Sequence, residues 1–487
     1  MRNKRDLYSL FVERAQALLK ATGIAGLLTP SGIASDLTAS AFFKSVASVG
    51  RVACLYDFEN RRGDGREAFF PDVDSRFKFC AFVVGGAKRA SQAAECAFFL
   101  RDPPERASPD ALFRMTAADF ALVNPNTGTA PIFRTRRDAE LTTAIYRRLP
   151  VLVDRSSGGE MKVWPVKYLT MFHMANDSHL FWTRERLEKH GAYPVELGRW
   201  KKGAEEWVPL YEGKMIDFYD HRFAEVDVDE DRTFRPGQPK AINDADKEDP
   251  SFVLPGRYFI AKSELPATSV QWAICFKDVT SVTNHRTVVS AICPYVGFNH
   301  KAPIWTFADL GSARDGGPPF QANFSSFIFD FVTRTKINSN SLVLFAIEQL
   351  PVVPPAAYSR AFGPKTAAEI VRDHVLRLTY TALDMQPFAR DMGYDGAPFV
   401  WNEAERRHWR ARLDALYFHL YGVEDEDDIR YILSTFPIVE RKDRAAHDGV
   451  YLTAELILWY FRALAAGDPD TQAPEAAILR NARRARP

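Results

Sequence analysis

The first hundred residues alternate helix and strand, yet hold too few strands for a sheet that stands alone. Leu7, Leu10, Phe11, Ala15 and Leu18 recur at helical spacing, which predicts an amphipathic helix over residues 6–20. Gly23 breaks it, and Ile24 to Thr29 is a short apolar run closed by Pro30-Ser31-Gly32. A second helix fits Ala39 to Ala47, and an apolar strand fits Val52 to Tyr56. After the polar stretch Glu59 to Glu67 a further strand fits Phe77 to Val84. This is the order of a layered α/β sheet. Three strands under one helix layer make only part of one, so the remaining strands are expected from elsewhere.

Residues 1–105 therefore read as part of an α/β domain, with a strand over Phe98 to Arg101 near its end, and 106–150 as a linker with a strand over Leu112 to Met115 and a helix over Arg136 to Arg148. Residues 151–360 change to short strands, many aromatics and loops rich in Gly, Pro and Asp, an α+β pattern. Within them the acidic stretch Glu225 to Pro250 predicts a mobile surface loop, and Leu350-Pro351-Val352-Val353-Pro354-Pro355 a hinge. Residues 361–487 are helical: Val371, Val375, Leu378 and Ala382 form one stripe, and Trp409, Leu413, Leu416, Tyr417 and Leu420 another. Gly422 suits the end of the second helix. The basic tail Arg480, Arg483, Arg484 and Arg486 reads as a solvated end.

At 487 residues several cores are expected, and 46% hydrophobic with 26% charged residues excludes disordered and fibrous classes. No uncharged apolar run reaches eighteen residues, which predicts no membrane-spanning helix. Five isolated cysteines (Cys54, Cys80, Cys96, Cys275, Cys293) read as reduced thiols of a cytoplasmic protein. The net charge of +1 leaves nucleic acid open, because a basic groove can be offset by acidic surface elsewhere.

Motifs exclude more than they assign. His173, His179, His285 and His300 lack ligand spacing, so no metal site is expected. Asp154, Glu160 and Lys162 have the residue types of a Mg²⁺ nuclease, but Arg155-Ser156-Ser157-Gly158-Gly159 between them reads as a flexible loop. There is no Gly-x-Ser-x-Gly, GxGxxG or P-loop, so nothing here cradles a dinucleotide or triphosphate. Phe70-Pro71, just before the strand from Phe77, is more specific: an aromatic face at a sheet edge can stack on a base drawn out of duplex DNA. Beside Phe69 it can equally be a core residue.

Several runs resemble one family. These are Asp6-Leu7-Tyr8-Ser9-Leu10-Phe11, Leu28-Thr29-Pro30-Ser31-Gly32-Ile33-Ala34, Leu55-Tyr56-Asp57-Phe58-Glu59-Asn60 and Phe70-Pro71 through Phe79. Further runs are Asn124-Pro125-Asn126-Thr127-Gly128-Thr129, Pro209-Leu210-Tyr211-Glu212-Gly213-Lys214-Met215, Glu348-Gln349-Leu350-Pro351 and Phe388-Ala389-Arg390-Asp391-Met392-Gly393-Tyr394. They resemble the later half of large Eco57I-like DNA adenine-N6 methyltransferases of restriction-modification and phage-defence systems. The resemblance implies the end of a Rossmann-like methyltransferase sheet, then a mixed target-recognition domain and a helical C-terminal region. It also implies an S-adenosylmethionine loop and an Asn-Pro-Pro-Tyr or Phe tetrapeptide ahead of these segments. Neither occurs here, since the sole Asn-Pro is Asn124-Pro125 and Asn126 follows it. The expectation is a chain inactive in methyl transfer without a partner subunit or missing N-terminal half that supplies the cofactor site. By the same resemblance Phe70 stacks on the flipped adenine, with Asp6, Tyr8 and Ser31 at the pocket edge.

The middle region is then expected to read duplex DNA, with Lys and Arg on phosphates and Arg, Asn, Gln or Lys on base edges. Candidates are Lys214, Arg222, Lys277, Asn284, His285, Arg286, Asn299, His300, Arg334, Lys336 and Asn338. Asn323 to Phe331 reads as a packing helix. The competing reading is a non-catalytic assembly subunit of a defence complex.

Overall fold

The computed structural model describes residues 6–62, 65–75, 77–228, 237–337 and 340–484. The chain divides into two compact units. Unit one is Met1–Lys162 with Arg334–Asn338 and Leu344–Pro351, and unit two is Val163–Thr333, Ser339–Val343 and Val352–Pro487.

Unit one runs α1 (Leu7–Leu18), β1 (Ile24–Pro30), α2 (Gly32–Ser35), α3 (Ser40–Ala47), β2 (Val52–Glu59), β3 (Lys78–Gly85), β4 (Ala94–Leu100), β5 (Phe113–Met115), α4 (Ala117–Val123) and α5 (Arg136–Arg148). The sheet has five strands in the order β1-β3-β2-β4-β5. β3 is antiparallel to both neighbours, β2 and β4 are parallel, and β5 returns antiparallel to β4. Residues read from sequence as a linker thus supply β5 and α5 to this unit. Thr116 with Asp119 and Thr135 with Asp138 form capping boxes that satisfy the first N–H groups of α4 and α5.

One face of the sheet carries α3, where Phe43 and Val46 are fully buried, as is Ile33 of α2. Phe43 meets Phe82 at 6.2 Å and Phe120 at 5.6 Å between ring centroids. Burial of each such side chain is worth about 1.5–3 kcal/mol. β1 is bonded to β3 along one edge, and among the described residues no strand lies along the other. Leu28 is 69% exposed there, and Leu7, Phe11 and Leu18 of α1 are similarly exposed.

Two later segments return to unit one. Leu152 and Val153 donate backbone N–H bonds to Leu350 and Glu348, and Gln349 Oε1 accepts from the backbone of Asn126 and Thr127 at 3.1 Å. The prolines expected to form a hinge therefore begin inside a packed unit. The stretch Asp154 to Lys162 is a two-stranded hairpin rather than a free loop. Within it Arg155 and Lys162 pair with Glu160, and Arg155 also pairs with Glu348 of the returning segment.

Unit two joins the expected middle and helical regions. A four-stranded antiparallel sheet has the order Ser290–Pro294, Trp272–Phe276, Ile304–Phe307, Val166–Leu169, and every residue of its first two strands is buried. A second sheet is built on Glu205–Tyr211. The helices Leu310–Ser325, Ala367–Thr379, Glu403–Tyr421 and Leu452–Ala465 pack in the same unit. The stretch Asn323 to Phe331, read as one packing helix, is buried but broken at Ser326 between Leu310–Ser325 and Phe327–Arg334. Asn323 Nδ2 donates to Tyr421 Oη at 2.6 Å while its Oδ1 accepts the Val353 N–H at 2.9 Å. Glu403–Tyr421 ends on Gly422 at φ 72°, the left-handed closure its sequence predicts. Of the acidic stretch, Ala224–Val228 pairs with Gly237–Ala241 as a hairpin, and the residues between lie outside those described. The helix Glu475–Arg484 extends into the basic tail, and Arg486 lies outside the described residues.

All five cysteines are free, and four are buried. No helix among the described residues is long and apolar enough to cross a membrane, and none of these residues form a cluster of three or more metal-ligating side chains.

Candidate functional site

The exposed end of the unit one sheet, where β1 and β2 finish and β3 begins, gathers the most specific groups. Phe70 and Val73 are anchored after β2 by one buried amide, that of Asn60. Asn60 Nδ2 donates to the carbonyls of Phe70 and Val73, both at 2.9 Å, and its Oδ1 accepts the Phe70 N–H at 2.9 Å. This fixes the Phe70 backbone independently of its ring. The ring sits edge-on to Phe79 at 4.9 Å and remains 42% exposed. Phe58, Phe69 and Phe79 form the apolar bed behind it, Phe58 stacking on Phe79 at 5.0 Å.

Strand alternation puts the polar groups on the opposite face. Thr29 pairs with Cys80 and Cys80 with Asp57, so their side chains form a row across β1, β3 and β2. Ser31 Oγ donates to Asp57 Oδ1, whereas Asp57 Oδ2 and Thr29 Oγ1 are buried without a hydrogen-bond partner. Burial pushes the Asp57 carboxyl up to about 6, against Lys78, Ser31 and the Phe99 N–H, which lower it. Phe99 reaches that position through a left-handed backbone, φ 59°, at the register shift between β2 and β4. Such strain in a non-glycine residue is commonest at functional sites. Two cations flank the Phe99 ring, Lys78 Nζ at 4.0 Å and the Arg134 guanidinium at 4.1 Å. Burial lowers the Lys78 pKa, while Asp57 and Glu59 raise it. Arg62 lies 5.0 Å over Phe69. Arg62 thus lies beside the aromatic bed of Phe70, whereas Lys78 lies with Asp57 on the opposite face of the sheet and Arg134 joins it at the Phe99 ring.

Of the expected pocket-edge residues, Tyr8 and Ser31 meet at the turn after β1. A Cβ on Gly32 would lie 2.6 Å from Tyr8 Oη and would strike the Asp36 carboxylate, so this turn requires glycine. Burial, then Asp36, raises the Tyr8 pKa. Asp6, exposed at the head of α1, is close enough to raise the pKa of Asp36. Asp57, Asn60, Lys78 and Phe99 were missed in the sequence. The visible signal is a charged residue, Asp57, inside the apolar strand that ends at Glu59.

The raised Asp57 carboxyl has a consequence for stability. The folded state holds this proton more tightly than the unfolded chain does, so stability is lost as pH rises from about 4 through about 6. Asp57→Asn keeps the acceptor for Ser31 and removes the ionisation. The variant is expected to gain about 2–3 kcal/mol on wild type between pH 4 and pH 7.5, as read by denaturant unfolding. An unchanged difference between those pH values would contradict the assignment.

The expected DNA-binding residues divide sharply. Arg222 is fully buried, and its guanidinium donates to the carbonyls of Asp249 (3.1 Å), Phe252 (2.9 Å), Lys247 (2.9 Å) and Thr381 (3.1 Å). Arg286 is buried between Asp330 (2.8 Å) and the Ser325 carbonyl (2.6 Å), with its guanidinium 4.0 Å over the Phe327 ring. Asn299 is buried, with its Oδ1 taking the Lys301 N–H at 3.0 Å. Lys336 belongs to unit one, as does Arg334, and Lys336 donates to the Val123 carbonyl and to Asn124 Oδ1 at 2.5 Å, closing the end of α4. These side chains are bonded inside the fold, although Arg222 Nε is buried without a hydrogen-bond partner.

Others reach the surface. Asn284 is exposed and His285 half-buried on one turn of unit two, with Lys277 half-buried over the Phe223 ring at 5.2 Å. Lys214 donates to the Gly237 carbonyl at 2.8 Å and pairs with Glu212 at 3.2 Å. His300 stacks on His173 with ring centroids 4.1 Å apart. Asn338 lies outside the described residues.

No family model and no curated protein matches the chain. Among solved structures it is similar to the type IIL restriction-modification enzyme MmeI in complex with DNA, at 10% identity and TM-score 0.40, covering 89% of this chain and 52% of that one. It is also similar to the type IIG restriction endonuclease BpuSI, at 11% identity and TM-score 0.25, covering 85% of this chain and 49% of that one. The chain spans about half the length of each.

Proposed function

We propose that the chain is the sequence-specific DNA-binding portion of an adenine-N6 DNA methyltransferase of the restriction-modification or phage-defence type. The observation that carries this reading is the half-exposed Phe70 ring, fixed through its backbone by Asn60 at a sheet end where Arg62 lies over the neighbouring Phe69 ring. An extruded base would stack on Phe70 while Arg62 takes phosphate. Unit two would read duplex DNA through Lys214, Lys277, Asn284, His285 and His300.

S-adenosylmethionine chemistry is not assigned to these residues alone. The turn after β1 is filled by Tyr8 and Asp36, and the sequence holds no glycine-rich loop that would cradle the cofactor. The unpaired edge of β1 and the exposed apolar face of α1 instead favour a complementary α/β part that supplies it. The same face supports the second reading, an assembly subunit that docks a partner without contacting DNA. Selection of duplex DNA from a random pool separates the two: the DNA-binding reading predicts an enriched motif containing adenine, and the assembly reading predicts none.

A further inference from the structure

Two histidines of unit two, His173 and His300, stand face to face. The Phe298 carbonyl accepts the Phe172 N–H at 3.1 Å, and the His300 N–H donates to the Phe172 carbonyl at 2.8 Å. This short parallel pairing, with Phe172 beside Asn299, brings the two rings together. Their centroids are 4.1 Å apart and their planes 21° from parallel. His173 is exposed and His300 half-buried.

The turn that follows His173 decides where each ring carries its hydrogen. Three successive amides point at the two Nδ1 atoms. The Met174 N–H donates to His300 Nδ1 at 3.4 Å, and the Ala175 and Asn176 N–H groups both donate to His173 Nδ1 at 3.3 Å. Asp177 holds the turn: its carboxylate accepts the His173 N–H at 2.7 Å, and its own N–H donates to the His173 carbonyl at 2.9 Å. An accepting Nδ1 bears no proton, so each neutral ring carries its hydrogen on Nε2. A second proton would have to enter at Nδ1 and face those amides. Burial, then His173 and Lys301, lowers the His300 pKa, against the Phe172 carbonyl and Asp278, which raise it. Lys301 is itself paired with Asp278 at 2.6 Å.

Both Nδ1 atoms face one turn, so both Nε2–H groups lie on the ring edges away from it. Among the described residues neither Nε2–H has an acceptor. Two uncharged donors on stacked rings match a group that offers two adjacent acceptor atoms.

We infer that His173 and His300 together form one uncharged, two-donor contact for a pair of adjacent acceptors on duplex DNA. Such acceptors are the oxygens of one phosphate or the N7 and O6 atoms of a guanine edge. This role rests on the DNA-binding reading of unit two and adds His173 to the residues that carry it.

Binding of the full chain to a mixed-sequence duplex, and to the duplex enriched from a random pool, tests the contact at pH 8, above the ordinary range of an imidazole. Phenylalanine keeps the stacked ring and removes the N–H, whereas glutamine places an amide N–H where Nε2 stood. His173→Phe and His300→Phe are each expected to weaken binding about three- to tenfold, the usual worth of one hydrogen bond. His173→Gln and His300→Gln should retain most of the affinity. The dependence on salt should not change, because a neutral ring releases no counterion. A loss shared by both duplexes assigns the acceptors to a phosphate, and a loss confined to the enriched duplex assigns them to a base edge. Binding left unchanged by both phenylalanine substitutions would overturn the contact while leaving DNA binding by unit two intact. A salt slope shallower by about one in either variant would make the rings cations paired with phosphate and overturn it as well. If the wild-type chain bound neither duplex, the DNA reading of unit two would itself fail, and the contact with it.

Discussion

Replacing Arg222 by alanine is expected to destabilise unit two by about 3–5 kcal/mol, because several buried carbonyls lose their donor at once and a large buried side chain is removed. Its two terminal nitrogens hold the carbonyls of Lys247, Asp249, Phe252 and Thr381, and its backbone N–H donates to Asp220 Oδ1 at 2.9 Å. Alanine leaves four carbonyls short of a donor and opens a cavity in the unit. Lysine recovers little, because a single ammonium cannot reach both sides of the fork. Denaturant unfolding measures the loss. The salt dependence of DNA binding by the protein that remains folded is expected to be unchanged, since Arg222 reaches no phosphate. A variant with wild-type stability and a salt slope shallower by about one would instead identify a phosphate contact.

Phe70→Ala is expected to do the opposite. The loop is held through the Phe70 backbone by Asn60, and the ring is 42% exposed, so stability changes by only about 1 kcal/mol. Stacking on a base is worth about 1–3 kcal/mol, so preference for a duplex with an unpaired adenine over the fully paired duplex should fall by about 5- to 150-fold. Phe70→Trp should retain the preference. A Phe70→Ala protein that unfolds far earlier than wild type would make the ring a core residue and defeat its assignment as a stacking platform.

Much of unit one is legible in sequence because its elements are locally encoded. The helical spacing of Leu7 to Leu18, the apolar runs of β1, β2 and β3, and the helix Arg136–Arg148 all carry their own periodicity. Strand order is not local. Nothing in the segment Lys78–Gly85 announces that it lies between β1 and β2, or that residues 344–351 return to pair beside Val151. The same limit explains Arg222 and Arg286. Arginine is a surface residue by default, and only the folded chain brings backbone carbonyls or Asp330 around it. Asp57 escaped for the converse reason, a carboxyl in an apolar strand whose meaning depends on Ser31 and on the bulge at Phe99.

Selection of the purified full chain against a random duplex DNA pool at moderate salt tests the central claim most directly. The account predicts a short enriched motif that contains adenine, retained with a steep dependence on salt because phosphate contacts release counterions. Recovery of no motif and no retained DNA would contradict DNA recognition by this chain and would leave the exposed face of α1 and β1 as the surface of an assembly subunit.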